Sequence, residues 1–285
     1  MQNKRLLAVL AHPDDESFGP GGTFARYARE GVDVHIAIAT DGVAGSVVKE
    51  YEDSREHLTE IRAQELETAV SILGATLHTL NYRDSGYIGD PANEHPEAFI
   101  NGDDYQQIGR IVQLIREIRP QIVVTHDETG GYFHPDHIRC WEITTPAFYA
   151  AGDPEKYPEL KLEAFQPQRL YYTAMSNRLI KLFIRLMRLR GQDPTKLGRN
   201  EDIDATKLGV DPKMINAIIN YAPYWEIKKE ASAAHASQGG GGGFVRRVPE
   251  VVQKRVFGKD TFIRAYPPVA NGSKEKDLFN GVSPD

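Results

Sequence analysis

Cysteine is almost absent from this chain: Cys140 is the single one in 285 residues. One thiol closes no intramolecular disulfide, so the disulfide-stapled secreted scaffolds are excluded and a reducing, cytoplasmic setting is the expectation. Any metal site must then be built from histidine and carboxylate. Positive charge is not in excess either, since 34 Lys and Arg against 40 Asp and Glu leave a formal charge of −6. Without a global basic field, nucleic acid is not an expected partner. Long apolar runs are missing, and nothing approaches the roughly eighteen uninterrupted apolar residues of a bilayer span. The short apolar run from Leu6 follows Lys4 and Arg5 but leads straight into His12-Pro13-Asp14-Asp15-Glu16. With no small-residue cleavage site there, it reads as a strand and not as a secretory leader. Internal repeats and convincing linkers are lacking as well, which makes 1–285 one domain.

What is present is alternation. Short apolar runs at 6–11, 32–40, 75–81, 122–125 and 170–174 read as strands. Between them lie helical patterns at 23–30, stopped by Gly31, and at 52–73, stopped by Gly74. A third runs through Ile108, Ile111, Val112, Ile115 and Ile118 and is ended by Pro120. This predicts an α/β fold, Rossmann-like, with a mostly parallel sheet and helices on both faces. The core is expected over about 1–175, followed by a C-terminal extension, about 176–270, that shapes the pocket. Within the extension, 179–189, 212–221 and 224–237 read as helices, Gly239–Gly243 as a mobile loop and 251–265 as a last unit. The polar tail 271–285 is expected to fray.

Four segments that follow strands carry chemically capable residues: 12–16, Thr40-Asp41-Gly42, Tyr82-Arg83-Asp84-Ser85-Gly86 and 126–137. In open α/β sheets ligands bind beyond the carboxyl ends of the strands, so the four are expected to meet in one crevice. His12-Pro13-Asp14-Asp15 and His134-Pro135-Asp136-His137 share a rhythm of His, Pro, Asp, then an acid or a His. Taken singly, the first fits an acidic helix N-terminus and the second a surface turn. Two such segments at two strand ends point instead to a metal site. Catalytic zinc usually takes three protein ligands from histidine and carboxylate and leaves one position open. Amide hydrolysis needs a polarised carbonyl, a nucleophile available near neutral pH and a proton for the departing amine. Zinc, a carboxylate that does not bind it and a neighbouring histidine supply all three.

At these residues the sequence resembles the LmbE-like, or PIG-L, family of zinc-dependent N-deacetylases. Its signatures are Ala-His-Pro-Asp-Asp-Glu, here 11–16, and His-Pro-Asp-His, here 134–137. Residues 82–86, Gly130-Gly131-Tyr132, 150–154 and Ala234-His235-Ala236-Ser237-Gln238 are similar to its branch of mycothiol-pathway deacetylases and S-conjugate amidases, so the likeness covers most of the chain. The resemblance implies removal of acetyl from an N-acetylglucosaminyl compound, a small amino-sugar substrate. It implies His12, Asp15 and His137 as zinc ligands and Asp14 as general base. It further implies that His134 stabilises the oxyanion and can act as an acid, that Asp136 orients a histidine, and that Tyr132 stands near the substrate carbonyl. Alternation along an extended chain would explain how the neighbours Asp14 and Asp15 take different tasks. Histidine and carboxylate ligands suit iron as well as zinc. The chain departs from the branch at His126, where a tyrosine is expected, and after Gln238, where five glycines replace a polar segment. Two rival functions stay open: an amidase that cleaves a larger acyl group, and a sugar-binding module without chemistry. The second is disfavoured because base and ligands are all intact. A dinucleotide-binding domain is disfavoured too, for want of Gly-x-Gly-x-x-Gly after the first strand.

Other candidates have two readings each. Arg62 either binds a sugar hydroxyl or phosphate-like group, or pairs with Glu65 on its helix face. Asp84 and Ser85 recognise hydroxyls or form a turn. His235 and Gln238 close over a sugar or cap a helix end. His126 is a spectator beside the metal, while His35, His57, His78 and His95 are structural or solvated. The 179–189 helix carries Lys181, Arg185 and Arg188 on one stripe and is otherwise nearly all apolar. A packed helix with a thin solvent-exposed face is the favoured reading, ahead of a subunit contact in a homo-oligomer and an interfacial membrane helix; membrane contact is not expected.

Overall fold

Alternate burial along the first strand decides the architecture. In β1 (Arg5–Leu10), Leu6, Ala8 and Leu10 enter one core layer while Leu7 and Val9 enter the other, and all five are fully buried. A strand covered on both faces belongs inside a parallel sheet. The computed structural model describes residues 4–196, 204–240, 249–269 and 272–283. After β1 come α1 (Asp15–Phe18), α2 (Gly21–Arg29), β2 (Asp33–Thr40), α3 (Leu58–Leu73), β3 (Thr76–Tyr82), α4 (Asp104–Ile118), β4 (Ile122–Thr125), α5 (Gly130–Phe133) and α6 (Pro135–Ala150). The chain continues through β5 (Arg169–Thr173), α7 (Asn177–Leu189), β6 (Ala217–Asn220), α8 (Trp225–Ala234), α9 (Glu250–Phe257) and β7 (Lys259–Tyr266).

The strands lie in the order β3-β2-β1-β4-β5-β7-β6. The first five are parallel, and β7 and β6 add antiparallel. Helices α2, α3 and α8 cover one face through Phe24, Leu66, Val70 and Ala231, and α4 and α6 cover the other through Ile111, Ile115, Ile143 and Phe148. The expected α/β fold, with a mostly parallel sheet and helices on both faces, is the one adopted. Strand order reverses between β1 and β4, so the loops leaving these two neighbours diverge and open a crevice at the switch point. Element ends follow local chemistry. Asp103 caps α4 by accepting the Gln106 amide at 2.9 Å, and Gly74 closes α3 in the left-handed region with φ 78°.

The C-terminal half departs from the expectations. Residues 212–221 do not form a helix; Ile215, Ala217, Ile219 and Tyr221 are buried at every second position, and the middle of the run is β6. A short apolar run fits both periods, and pairing with β7, more than forty residues on in places, selects the strand. Residues 272–283 of the tail do not fray. Leu278 and Phe279 enter the core beside Tyr27, whose hydroxyl donates to Asp277 at 2.8 Å. Glu275 accepts from Arg169 and from the Tyr171 hydroxyl, each at 2.9 Å. Two buried apolar side chains and one buried carboxylate thus outweigh a polar composition. Of the glycine run, Gly239 and Gly240 finish the turn after α8, and 241–243 lie outside the described residues. On α7, Ile184 and Met187 are buried while Leu182, Phe183, Leu186 and Leu189 are exposed, so the solvent-facing side is wider and more apolar than a thin charged stripe. Among the described residues no helix is long and apolar enough to cross a membrane.

Candidate active site and metal centre

The loop after β1 turns at once. Asp14 has φ 125° and ψ −29°, and its carbonyl accepts the amides of Ser17 and Phe18 to start α1. Asp14 and Asp15 therefore do not part by extended-chain alternation, as expected from sequence; a left-handed residue followed by a helical one separates them. Asp15, first in α1, folds its carboxylate back to accept the His12 amide at 2.8 Å. The loop after β4 makes a second close turn. Gly130, at φ 59°, lies where an added Cβ would stand 2.7 Å from the Cβ of His137, so only glycine lets this backbone approach the helix that carries His137. Pro135 then opens α6, and the Nδ1 of His134 accepts the Asp136 amide at 3.2 Å.

These turns bring three donor atoms face to face. His12 Nδ1 lies 3.2 Å from His137 Nε2, His137 Nε2 lies 3.3 Å from Asp15 Oδ2, and Asp15 Oδ2 lies 3.6 Å from His12 Nδ1. Four N/O ligands placed tetrahedrally at 2.0–2.1 Å from a cation stand about 3.3–3.4 Å apart, so this triangle has the dimensions of one face of such a site. The ring nitrogens on the far sides are also held: His12 Nε2 meets Asp136 Oδ2 at 3.1 Å, and His137 Nδ1 meets the Gly130 carbonyl at 3.1 Å. A ligating imidazole is typically oriented through its other nitrogen in this way. Overlapping groupings with similar reach include His134, His126, Asp84 and Asp136, which places the predicted ligands in a wider cluster able to hold a metal.

Burial and charge set the protonation of the cluster. Burial works against ionised Asp15, but His137, His12 and His126 hold its carboxyl well below the usual carboxylate range. Burial presses His137 well below an ordinary imidazole and takes His134 down to about 3, with His12 adding to the latter. Neutral His134, with Nδ1 accepting, carries its proton on Nε2. Burial pushes Asp14 up to about 7 with Asp15 assisting, against the opposing pull of Arg62, whose guanidinium lies 3.2 Å from Asp14 Oδ2.

Comparison with known proteins bears on this geometry. A family model described as PIG-L, GlcNAc-PI de-N-acetylase, matches residues 7–148. The chain is 37% identical to the mycothiol S-conjugate amidase of Streptomyces coelicolor over 98% of this chain and 97% of that one. It belongs to the PIG-L family. The 1D-myo-inositol 2-acetamido-2-deoxy-alpha-D-glucopyranoside deacetylase 1 of Catenulispora acidiphila is 36% identical, over 98% of this chain and 90% of its own. Both relatives are named for amide hydrolysis, and this PIG-L protein is an amide hydrolase. Among solved structures, the N,N'-diacetylchitobiose deacetylase of Pyrococcus horikoshii superimposes with a TM-score of 0.60 at 19% identity, covering 92% of this chain and 83% of that one. The 4-carboxy-2-hydroxymuconate hydratase of Pseudomonas putida superimposes with 0.62 at 18% identity, covering 94% and 99%. A hydratase on the same scaffold means that the fold alone does not choose the reaction.

The remaining predicted residues of this PIG-L site fall into two groups. Tyr132 and Asp84 stay in the crevice. The Tyr132 ring meets His137 edge-on at 4.9 Å, and Asp84 Oδ1 stands 3.6 Å from His12 Nε2 while accepting the Gly86 amide at 2.8 Å. Arg62 is buried in the site without its predicted pairing. Its guanidinium donates to the carbonyls of Gly42 and Pro13 and meets Asp14, while Glu65 accepts from Ser237. A Cβ on Gly42 would fall 2.6 Å from that guanidinium, which explains a glycine at φ 69° there. Ser85 and His235 are both buried. The Ser85 hydroxyl accepts the Ile100 amide at 3.2 Å in a fully buried position, and His235 is sealed at 0% exposure against Glu16. Gln238 is partly buried, with its amide donating to the Ser237 hydroxyl at 3.2 Å.

His126 stacks on His137 with ring centres 3.9 Å apart and accepts the Ala11 amide, so it supports both loops. His35 and His78, read as structural or solvated, meet each other at 3.0 Å on adjacent strands. Sequence reasoning missed the roles of Glu16 and Tyr87. Glu16 closes the Ala-His-Pro-Asp-Asp-Glu signature, and that place was its only signal. Tyr87 stacks on Tyr132 and donates its hydroxyl to the Tyr132 carbonyl at 3.0 Å, with nothing in its local sequence to announce it.

Proposed function

We propose that this protein removes the acetyl group from an N-acetylglucosaminyl compound, a small amino-sugar substrate, in the cytoplasm, with zinc held by His12, Asp15 and His137. Iron is the other metal this donor set suits. One observation carries the reading: three donors stand at tetrahedral spacing, and a further carboxylate, that of Asp14, is near enough to feel the charges of Asp15 and His12 while its Oδ2 meets Arg62. A metal held there would supply Lewis-acid chemistry, polarising a carbonyl and lowering the pKa of water toward neutrality. Asp14, about one-fifth exposed and steadied by Arg62, takes the proton from the attacking water. The Nε2–H of His134 donates to the carbonyl oxygen as it becomes an oxyanion, and the Tyr132 hydroxyl offers a second donor. Asp14 then returns the proton to the nitrogen as the C–N bond breaks, releasing acetate and the free amine. Asp136 acts from behind by fixing the His12 ring.

The 37% identity to an S-conjugate amidase supports a second reading, hydrolysis of a larger acyl arm on the same glucosamine nitrogen. Both are tested by supplying zinc and measuring amine and acid release from an N-acetylglucosaminyl inositol and from a glucosaminyl S-conjugate. Acetate release that is lost with a chelator and restored by zinc is the expected outcome. Cleavage of the S-conjugate alone would replace deacetylation by amidase activity. Sugar binding with no turnover of either would leave a binding module.

A further inference from the structure

Asp14 occupies a backbone conformation that L-residues rarely adopt, with φ 125° and ψ −29°. Such a conformation is strained and persists only where its surroundings over-determine it. Here the determining group is Glu16. Its Oε2 accepts the Asp14 amide at 2.9 Å, while Oε1 accepts the Ser17 hydroxyl at 2.5 Å and meets His235 Nε2 at 2.7 Å. Glu16 and His235 are both fully buried, so the imidazole is the group that compensates a carboxylate withdrawn from water. His235 belongs to the C-terminal extension, directly after α8, which packs on α1, α2 and α3. The same segment is pinned two residues on, where the amide and hydroxyl of Ser237 donate to Glu65 on α3 at 2.7 and 2.6 Å. Helix α3 also carries Arg62, which meets the Asp14 carboxylate. Asp14 is therefore held at both ends from one packed unit, its amide through His235 and Glu16, its carboxylate through Arg62.

We infer that His235, acting through Glu16, is a positioning residue that fixes the Asp14 backbone so that its carboxylate faces the ligand triangle without joining it. This rests on Asp14 being the base. The test uses the zinc-loaded full chain and the acetate-release assay on four variants. His235→Gln places an amide N–H near the position of Nε2, His235→Asn reaches only the position of Nδ1, His235→Leu removes the donor, and Asp14→Asn is the reference. Expected for the Leu and Asn variants is a fall in kcat of about ten- to hundred-fold with KM and zinc content unchanged, and for the Gln variant recovery to within a few-fold of the parent. Leu and Asn variants that keep kcat within about twofold of the parent, or a Gln variant no better than Asn, overturn the inference. So does loss of zinc or a rise in KM in step with the loss of rate, since a merely structural role would do that. If His235→Leu does not fold, the Gln and Asn variants still decide. Parental activity in Asp14→Asn would remove the base assignment itself, whereas an inactive Asp14→Asn beside an active His235→Leu would remove only the positioning role.

Discussion

The turns His12-Pro13-Asp14-Asp15 and His134-Pro135-Asp136-His137 read almost alike, yet their side chains take opposite tasks. At the first position, His12 turns Nδ1 into the donor triangle, whereas the Nδ1 of His134 is taken up by the Asp136 amide. At the third, Asp14 sits at positive φ with its carboxylate against Arg62, partly exposed. Asp136 sits in the first turn of α6 with no exposure, its Oδ2 shared by His12 and the Ser85 amide at 3.1 and 3.0 Å. Only the fourth positions, Asp15 and His137, are alike in facing the triangle. The residue pattern is common to both turns, and the backbone that follows assigns the work: a strained residue leading into one helical turn in the first, a proline-started helix of sixteen residues in the second.

The largest expected contrast is between His137→Ala and His134→Ala. The first should lose bound zinc on dialysis and all measurable turnover. The second should keep its metal and lose about 10²–10³ in kcat, the usual cost of one oxyanion donor. Metal analysis beside initial rates separates them, and equal loss of zinc from both would mean that the turns are more alike than their geometry. Next comes the pair of third-position acids. Asp14→Asn should retain zinc while kcat falls by about 10²–10⁴. Asp136→Asn should instead weaken zinc by about 10–100-fold through the His12 ring, read by titration against a competing chelator. Reversal of these two phenotypes would exchange their assignments.

What could be read from sequence was what lies close along the chain. The buried strands at 6–11 and 122–125, and the two signatures that follow strands, are each specified within a handful of residues, and they account for the parallel core and the donor triangle. The misread parts depend on remote partners. The middle of 212–221 is a strand because β7 lies beside it, and residues 272–283 are ordered because Tyr27, Arg169 and Tyr171 receive them. Arg62 shows the same limit at the site. Its neighbour Glu65 promised a helix-face pair, but carbonyls from two distant loops and Asp14 claim the guanidinium, while Glu65 secures Ser237. His235 was legible as part of a motif, but its burial against Glu16, 219 positions away, was not.

The smallest effect concerns Ser85, where sequence offered both hydroxyl recognition and turn chemistry. Its amide, not its side chain, serves the second turn by donating to Asp136, and its hydroxyl accepts the Ile100 amide inside the protein. Ser85→Ala removes that acceptor and leaves the amide untouched. It should therefore cost about 1 kcal/mol of stability, seen as a fall of roughly 2 °C in Tm, with KM for the amino sugar and zinc content unchanged. Calorimetry and a substrate titration on the same preparation check it. A several-fold rise in KM at unchanged Tm would instead put a sugar hydroxyl on Ser85 and make this loop a recognition surface, because a buried acceptor for Ile100 has no route to substrate affinity that leaves stability alone.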